Sequence, residues 1–321
     1  MSRHSTAIAA FALLLAFTPA AEAADDIVRR SFAVAEGGTL RLDARIGSIK
    51  IVTGGDGVAV EVQRRASGLR AEDILAEHRI DFSQSGNDVT ISSDFERIRT
   101  HWTANYKVQW NIRVPARYNV EVRTSGGGIE LANMGGTVDA RTSGGRIRTG
   151  TLAGRSSLRT SGGSIDVSGA SSPLTAHTSG GSITIGDTRG PVDARTSGGS
   201  IQLARIAGNV IAKTSGGSIR IDDVAGSVDA RTSGGSIQAR ISGQPSADSH
   251  LSTSGGRVKV ELNPGVAVDV DARASGGGVR ADIPVTVHGK IGKNEVRGQI
   301  NGGGPKLTLR TSGGGITISR I

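Results

Sequence analysis

The feature that most constrains this chain is a tetrapeptide, Thr-Ser-Gly-Gly, that returns at a constant interval. Its first seven copies start at Thr124, Thr142, Thr160, Thr178, Thr196, Thr214 and Thr232, which gives six successive spacings of 18. Three further copies follow at spacings of 21, 21 and 37, starting at Thr253, Ala274 (as Ala-Ser-Gly-Gly) and Thr311. A fixed period is typical of proteins built from one supersecondary unit per repeat. We expect the C-terminal units to carry insertions.

Apolar residues alternate with polar ones on both sides of the tetrapeptide. Five and seven residues after each threonine the chain carries aliphatic side chains, as in Ile201 and Leu203. Four and two residues before it, Val or Leu and then a small or aliphatic residue recur, as in Val192 and Ala194. A period of two indicates β-strands with one buried face. Each repeat is therefore predicted to contain two short strands separated by a glycine-rich corner.

Two all-β architectures fit this arithmetic, an antiparallel meander and a parallel β-solenoid (β-helix) with one coil per repeat. Stacked coils place each isoleucine against that of the next coil, at the strand spacing of about 4.8 Å. A meander does not bring equivalent positions side by side. The chain has no Phe, Tyr or Trp after Tyr118, which suits a thin interior. We predict the solenoid and expect it to be right-handed.

The glycine pair at each corner has a structural and a functional interpretation. Glycine reaches positive φ without a steric penalty, so we expect it to turn the chain between strands. A phosphate cradle needs a following helix and a Lys-Ser/Thr pair, and calcium-binding nonapeptides need an aspartate after the glycines. Neither signature follows the tetrapeptide. We expect no cofactor and no metal.

Residues 1–23 are predicted to be a signal peptide. An apolar run from Ala7 to Phe17 precedes Ala21-Glu22-Ala23, which places small residues at the cleavage-defining positions. The run is well short of the ~20 residues that span a bilayer. We therefore expect cleavage after Ala23, no transmembrane segment, and an exported protein that is periplasmic, on the outer envelope surface or secreted.

Residues 24–119 are predicted to form a β-rich capping region with degenerate coils, followed by regular solenoid repeats over 120–321. Leu42-Asp-Ala-Arg45 matches Val138-Asp-Ala-Arg141, and residues 69–79 are compatible with a short helix. An atypical end rich in large apolar side chains covers an open solenoid. A second interpretation remains for three of the aromatic residues, a platform that stacks on sugar rings: Trp102, Tyr106 and Trp110.

Catalysis finds little support in the residue types present. The chain has no cysteine, and its histidines fit no metal-binding motif. A polysaccharide-acting β-helix enzyme is the alternative function, and it needs paired carboxylates. Asp222-Asp223 would point to opposite sides of a strand, whereas Asp269 and Asp271 share a face but lack an obvious general acid. We predict no catalytic residue.

The net charge of +9 comes from 38 basic and 29 acidic residues. The residue before each threonine, predicted to face outward, is basic in eight of ten copies. Acidic residues two positions earlier accompany five of these cations, which leaves Arg159, Lys213 and Arg310 without a local partner. The pattern fits either an exposed ion-pair ladder or a face for an anionic ligand, with these candidate residues: Arg141, Arg159, Arg195, Lys213, Arg220 and Arg231. Export and the lack of interleaved aromatics argue against nucleic acid.

Two stretches of the chain resemble the bacterial candidate-adhesin family, a group of exported β-strand-repeat proteins. The first runs from Asn111-Ile-Arg-Val-Pro115 through Val120-Glu-Val-Arg-Thr-Ser-Gly-Gly-Gly-Ile129 into the repeats. The second is the closing segment from Gly298 to Ile316. The resemblance implies a β-helical solenoid with an envelope or cell-surface role and carries over no catalytic residue. The expected partners are an anionic polysaccharide, lipopolysaccharide or a surface protein.

Overall fold

The chain folds into two long β-sheets and one short helix. The structure is a computed structural model that describes residues 23–68, 71–95, 106–287 and 292–321. One sheet has 14 strands (sheet A) and the other has 15 (sheet B). The elements that precede the repeats are β1 (Ala23–Ala33), β2 (Thr39–Ala44), β3 (Ser48–Thr53), β4 (Gly57–Ser67), α1 (Ala71–Glu77), β5 (His78–Ser85), β6 (Asp88–Phe95) and β7 (Tyr106–Val114).

Each regular repeat contributes one strand to each sheet. The strands of sheet B are β8 (Asn119–Thr124), β10 (Val138–Thr142), β12 (Ser156–Thr160), β14 (Leu174–His177), β16 (Val192–Arg195), β18 (Val210–Lys213), β20 (Val228–Thr232) and β22 (Ser249–Thr253). The strands of sheet A are β9 (Ile129–Leu131), β11 (Ile147–Leu152), β13 (Ile165–Ala170), β15 (Ile183–Thr188), β17 (Ile201–Ile206), β19 (Ile219–Val224), β21 (Ile237–Ile241) and β23 (Val258–Leu262). The C-terminal strands are β24 (Val268–Ala274), β25 (Val279–Ala281), β26 (Thr286–Val287), β27 (Glu295–Ile300), β28 (Lys306–Thr311) and β29 (Ile316–Arg320).

Parallel pairing between successive repeats confirms an all-β, solenoid-like fold and excludes the meander. Val138 lies opposite Val120 on one side and Ser156 on the other, each one repeat away along the chain. In sheet A, Ile201 lies between Ile183 and Ile219 in the same way. The backbone groups of these strands thus find their partners in the neighbouring coils. The right-handed sense of the coil stays a prediction.

The predicted inward positions form the core of the solenoid. Ile201 and Leu203 of sheet A and Val192 and Ala194 of sheet B are all buried. The residue two before the threonine is fully buried in every copy, and it is alanine in most coils, which keeps the interior thin. Inward burial is weaker at Val279, which is half-buried in the outermost coil.

The repeat glycines are required for a different reason than predicted. Within the described residues, positive φ occurs at eight glycines, none of which belongs to the repeated corners. Instead, a Cβ built on Gly145 would overlap the carbonyl oxygen of Gly127 in the adjacent coil. The same overlap recurs at the second glycine of each corner. These glycines permit close stacking of coils and do not serve as left-handed turn residues.

The coils at both ends stack out of chain order. At the C-terminus, β28 and β29 insert between the coil of β22 and β23 and the coil of β24 and β25. At the N-terminus, β2 and β3 lie between the coil of β6 and β7 and the coil of β8 and β9. The long final spacing contains the inserted strands β26 and β27, as expected of the C-terminal units, and the chain then folds back to place β28 and β29 between the two preceding coils.

Antiparallel strands extend the sheets beyond the parallel coils. At the N-terminal end, β4 pairs with β7, β1 pairs with β4, and β5 pairs with β6. At the C-terminal end, β27 pairs antiparallel with β24, and β26 with β27.

The predicted short helix is present as α1. In the described part of the chain, no helix is both long and apolar enough to cross a membrane.

Candidate functional site

The residues that precede the threonines form one continuous column on the outer face of sheet B. Strand pairing places Arg141 beside Arg159, Arg159 beside His177, and Arg195 beside Lys213. Because β28 is inserted, Arg310 lies between Ser252 and Arg273. We call this column the basic ladder, and its members in spatial order are Arg123, Arg141, Arg159, His177, Arg195, Lys213, Arg231, Ser252, Arg310 and Arg273.

Acidic residues two positions earlier neutralise most of the ladder. Arg141 pairs with Asp139 at 2.8 Å, and Arg195 pairs with Asp193 at 2.7 Å. Lys213, which lacks an acid in its own coil, reaches Asp229 of the next coil at 3.1 Å. Asp229 also pairs with Arg231 at 2.8 Å. Lys213 is therefore not an unanswered cation, which corrects the sequence-based count.

Asp271 is the most crowded acid of this face. Its carboxylate lies 2.8 Å from Arg310, 3.6 Å from Arg297 and Lys306, and 3.8 Å from Arg273. The side chain is only 14% exposed. Burial acts to raise its pKa, but the hydrogen bond from Arg310 and the surrounding cations outweigh burial and lower it. Arg310 is thus also paired, because β28 stacks beside β24 and brings it next to Asp271. The sequence does not reveal this stacking order.

Two rungs of the ladder keep a cation without an ion pair. Arg159 donates a hydrogen bond to the Ser157 hydroxyl at 2.7 Å, because serine stands where five of the other coils have an acid. Neither Arg159 nor Arg123 forms an ion pair within the described residues, whereas Glu121 of the same strand as Arg123 lies 3.7 Å from Arg41. The two ladder cations without an ion pair therefore flank Arg141, and Asp43 of β2 lies beside Arg123 in the strand pairing.

Arg220 does not belong to the basic ladder. It lies on β19 of sheet A, between Gln202 and Gln238, whereas the other five candidate residues lie on sheet B. Its guanidinium pairs with Asp222 at 2.6 Å in the same strand. Each coil turns between the two sheets, so a residue just past the glycines faces a different side of the molecule. The sequence-based grouping of Arg220 with the ladder was wrong.

The two candidate platform residues that the structure describes, Tyr106 and Trp110, present no ring face to solvent. Trp110 is fully buried, and its indole N–H donates to the Ile46 carbonyl at 3.1 Å. Tyr106 is also buried and is hydrogen-bonded to His78 at 2.7 Å. A ring that stacks on a sugar must present its face to solvent, which neither ring does. Trp102 lies outside the described residues. Both described rings are packed in the N-terminal end of the solenoid.

The candidate carboxylates are not arranged as a catalytic pair. Asp222 is held by Arg220, and the cations around Asp271 keep its pKa low, which disfavours a role as a general acid. Asp223 lines an open groove of about 580 Å³ on the corner that follows sheet A, together with Asp187 and Arg205, which pair with each other. Among the described residues no cluster of His, Asp and Glu is suited to hold a metal ion.

The fold and this surface define the chain as a parallel β-solenoid with a charged outer face. Comparison with solved structures returns a candidate adhesin from Bacteroides fragilis, 14% identical, covering 92% of this chain and 97% of the other at a TM-score of 0.38. A candidate adhesin from Parabacteroides merdae is 12% identical, with 92% and 96% covered and a TM-score of 0.41. A candidate lipid-binding protein from Parabacteroides distasonis is 13% identical, with 74% and 96% covered and a TM-score of 0.34.

The names of the first two structures match the family that the repeat motifs resemble. The likenesses are too distant to assign an activity or a ligand. No protein-family model and no curated protein matches the chain.

Proposed function

We propose that the protein is a non-enzymatic, exported binding scaffold of the cell envelope or surface, and that its basic ladder contacts anionic polymers. The observation that carries the proposal is the run of Arg123, Arg141 and Arg159 on adjacent coils, in which one acid-paired guanidinium lies between two without ion pairs. Their spacing of about 4.8 Å lies inside the screening length of about 8 Å, so the three charges act together.

The ligand class follows from the shape of this surface. A straight column of guanidinium groups on a flat sheet offers many equivalent contacts and no enclosing pocket. Such a surface suits a flexible polymer with repeated phosphate, sulfate or carboxylate groups, such as an acidic glycan or lipopolysaccharide. Exposed ion pairs contribute only about 0–1 kcal/mol, so Arg141 can exchange Asp139 for a ligand group at little cost. Binding is expected to be weak per contact and to depend on several rungs.

We further propose a division of the chain that is consistent with this role. Residues 1–23 are removed on export, residues 24–119 cap one end of the solenoid, and residues 120–321 present the ladder. The buried aromatic side chains and antiparallel strands at the N-terminal end fit a cap that protects the open coil. Mass spectrometry of the exported protein is expected to find its N-terminus at or near Ala24, and an intact Met1 in the cytosol would contradict export.

The ligand proposal is tested by binding to a sulfated polysaccharide, to lipopolysaccharide vesicles and to neutral dextran. The double variant Arg123→Gln/Arg159→Gln should bind both anionic probes at least several-fold more weakly, and added salt should weaken wild-type binding strongly. The double variant Arg148→Gln/Arg220→Gln is the matched control because it also removes two exposed cations, both from sheet A. Equal losses of affinity in the two variants would indicate an effect of net charge alone. Binding that does not change with salt concentration would contradict a ligand-binding role for the basic ladder.

A further inference from the structure

Strand β1 ends sheet A and leaves one of its edges open. It pairs along its entire length with β4, from Ala23 opposite Ser67 to Ala33 opposite Gly57. Within the described residues no strand lies on its other side. An open edge presents unpaired N–H and C=O groups that accept another strand. Proteins avoid such pairing with short, twisted or charged edges. β1 is among the longest strands of this fold, and its charged residues Asp25 and Arg29 are paired with residues of β4.

The middle of β1 carries an apolar side chain in solvent. Ile27 is 48% exposed, and among the described residues only one other large hydrophobic side chain is classed as exposed, Ile321 at the C-terminus. Its neighbours on the same face are Asp25 and Arg29, both exposed. The face of the open strand therefore carries an acid, an apolar residue and a base in that order, with the isoleucine at its centre.

This pattern is complementary to itself when two strands run antiparallel. A two-fold axis perpendicular to the sheet keeps the outer face outward, so residues of the same face lie opposite each other. With Ile27 opposite Ile27 of a second copy, Asp25 lies opposite Arg29 of that copy, and Arg29 opposite its Asp25. Opposite charges and apolar pairs placed directly across strands are the favourable cross-strand combinations.

The ion pairs already present extend this order into a longer row. Asp25 pairs with Arg65 of β4 at 2.6 Å, and Arg29 pairs with Glu61 of β4 at 2.8 Å. Across the junction the charges would alternate in the order Arg65, Asp25, then Arg29 and Glu61 of the second copy. The hydrogen bond from Arg65 already lowers the pKa of Asp25, which keeps its carboxylate ionised for a second guanidinium. A shift by two residues would instead set Ile27 opposite Arg29.

We propose that two copies of this chain associate through β1, which pairs antiparallel with β1 of the second copy in the register that places Ile27 at the two-fold axis. Sheet A then continues from one molecule into the other. The two basic ladders, which lie on sheet B of each copy, would be carried by one particle. This association uses residues of the N-terminal end only and does not depend on what the ladder binds.

Charge reversal across the interface tests both the association and its register. Asp25→Arg sets arginine against arginine twice, and Arg29→Asp sets aspartate against aspartate twice, so each variant alone should raise the dimer dissociation constant on the order of tenfold or more. Mixing the two variants restores attraction at both positions, and the mixture should form a heterodimer. Sedimentation velocity over a range of concentrations measures each case.

Arg113→Asp is the control because it makes the same charge change on β7, on the outer face of sheet A but away from the edge. It should leave association unchanged. Circular dichroism confirms that each variant is folded. A wild-type protein that stays monomeric at the highest concentrations, or a dimer that ignores both reversals, would overturn the proposal. Folded variants that fail to associate on mixing would overturn the register.

Discussion

The hydroxyl of Thr142 donates a hydrogen bond of 2.8 Å to the carbonyl oxygen of Gly127 in the adjacent coil. The same hydroxyl accepts a hydrogen bond from the N–H of Gly145, at 3.3 Å, within its own corner. Both bonds recur along the solenoid, for example at Thr196 with Gly181 at 2.7 Å and Gly199 at 3.3 Å. The hydroxyl of the repeated threonine therefore links adjacent coils through a pair of buried hydrogen bonds, which we call the threonine clasp. The periodicity alone did not indicate this role.

Removal of one clasp should destabilise the protein measurably. Thr196→Val keeps the shape of the side chain but leaves the Gly181 carbonyl and the Gly199 N–H without their partner. An unsatisfied buried polar group costs about 1–3 kcal/mol. We expect the free energy of unfolding in urea to fall by that amount in Thr196→Val. Thr196→Ser keeps the hydroxyl and should retain most of the wild-type stability. Equal losses in the two variants would show that the methyl group, rather than the hydroxyl, matters.

Two adjacent glycines should respond differently to the same substitution. A Cβ on Gly145 overlaps the Gly127 carbonyl, whereas a Cβ on Gly144 has as its nearest neighbour the Gly126 carbonyl oxygen at 3.6 Å. Gly145→Ala must displace the coils and is expected to cost about 2 kcal/mol or more. Gly144→Ala should stay within about 0.5 kcal/mol of wild type or be slightly stabilising. Thermal melts compare the pair, and equal melting temperatures would contradict the close-stacking explanation.

The alternation of buried and exposed residues predicts a second contrast between neighbours. Ile201 is buried between the isoleucines of two other coils, and Gln202 is exposed. Ile201→Asp buries a carboxylate without a partner and is expected to cost about 4 kcal/mol or more. Gln202→Asp should change the free energy of unfolding by less than about 0.5 kcal/mol. Circular dichroism during thermal unfolding would refute the assignment if both variants melted alike.

His78 should make stability depend on pH below neutrality. Burial, together with the nearby charge of Arg64, lowers its pKa from 6.5 to about 4. Between these values the unfolded chain takes up a proton that the folded chain does not. The free energy of unfolding therefore falls as pH decreases, by up to about 1.4 kcal/mol per pH unit from this group, and this loss is absent above pH 6.5.

The variant His78→Gln isolates that contribution. Glutamine can still accept a hydrogen bond from Tyr106 but does not titrate, so the difference in stability between pH 7 and pH 5 should shrink by about 2 kcal/mol. His250, whose pKa burial also lowers, contributes to both proteins and cancels in the comparison. Urea titrations at the two pH values measure the effect, and identical pH dependence in both proteins would exclude His78 as its source.

Much of the fold is local and repetitive, which is why the sequence alone was sufficient to predict it. The spacing from Thr142 to Ile147 and the alternation from Val138 to Thr142 specify which side chains face inward, and the identical period in the next repeat determines its register. A one-residue slip would turn a buried face outward, so the pattern admits one pairing. The buried positions, the short helix and the parallel coils follow from such local rules.

The tertiary structure decided what depends on contacts between distant segments. Lys213 finds Asp229 one coil away, and Arg310 finds Asp271 because β28 folds back beside β24. The alternation of apolar and polar residues could predict that Trp110 faces inward. Its complete burial depends on the pairing of β4 with β7. The repeat specifies how each coil adds to the next, whereas at the ends several strand orders satisfy the same pattern, and packing between non-consecutive segments selects one of them.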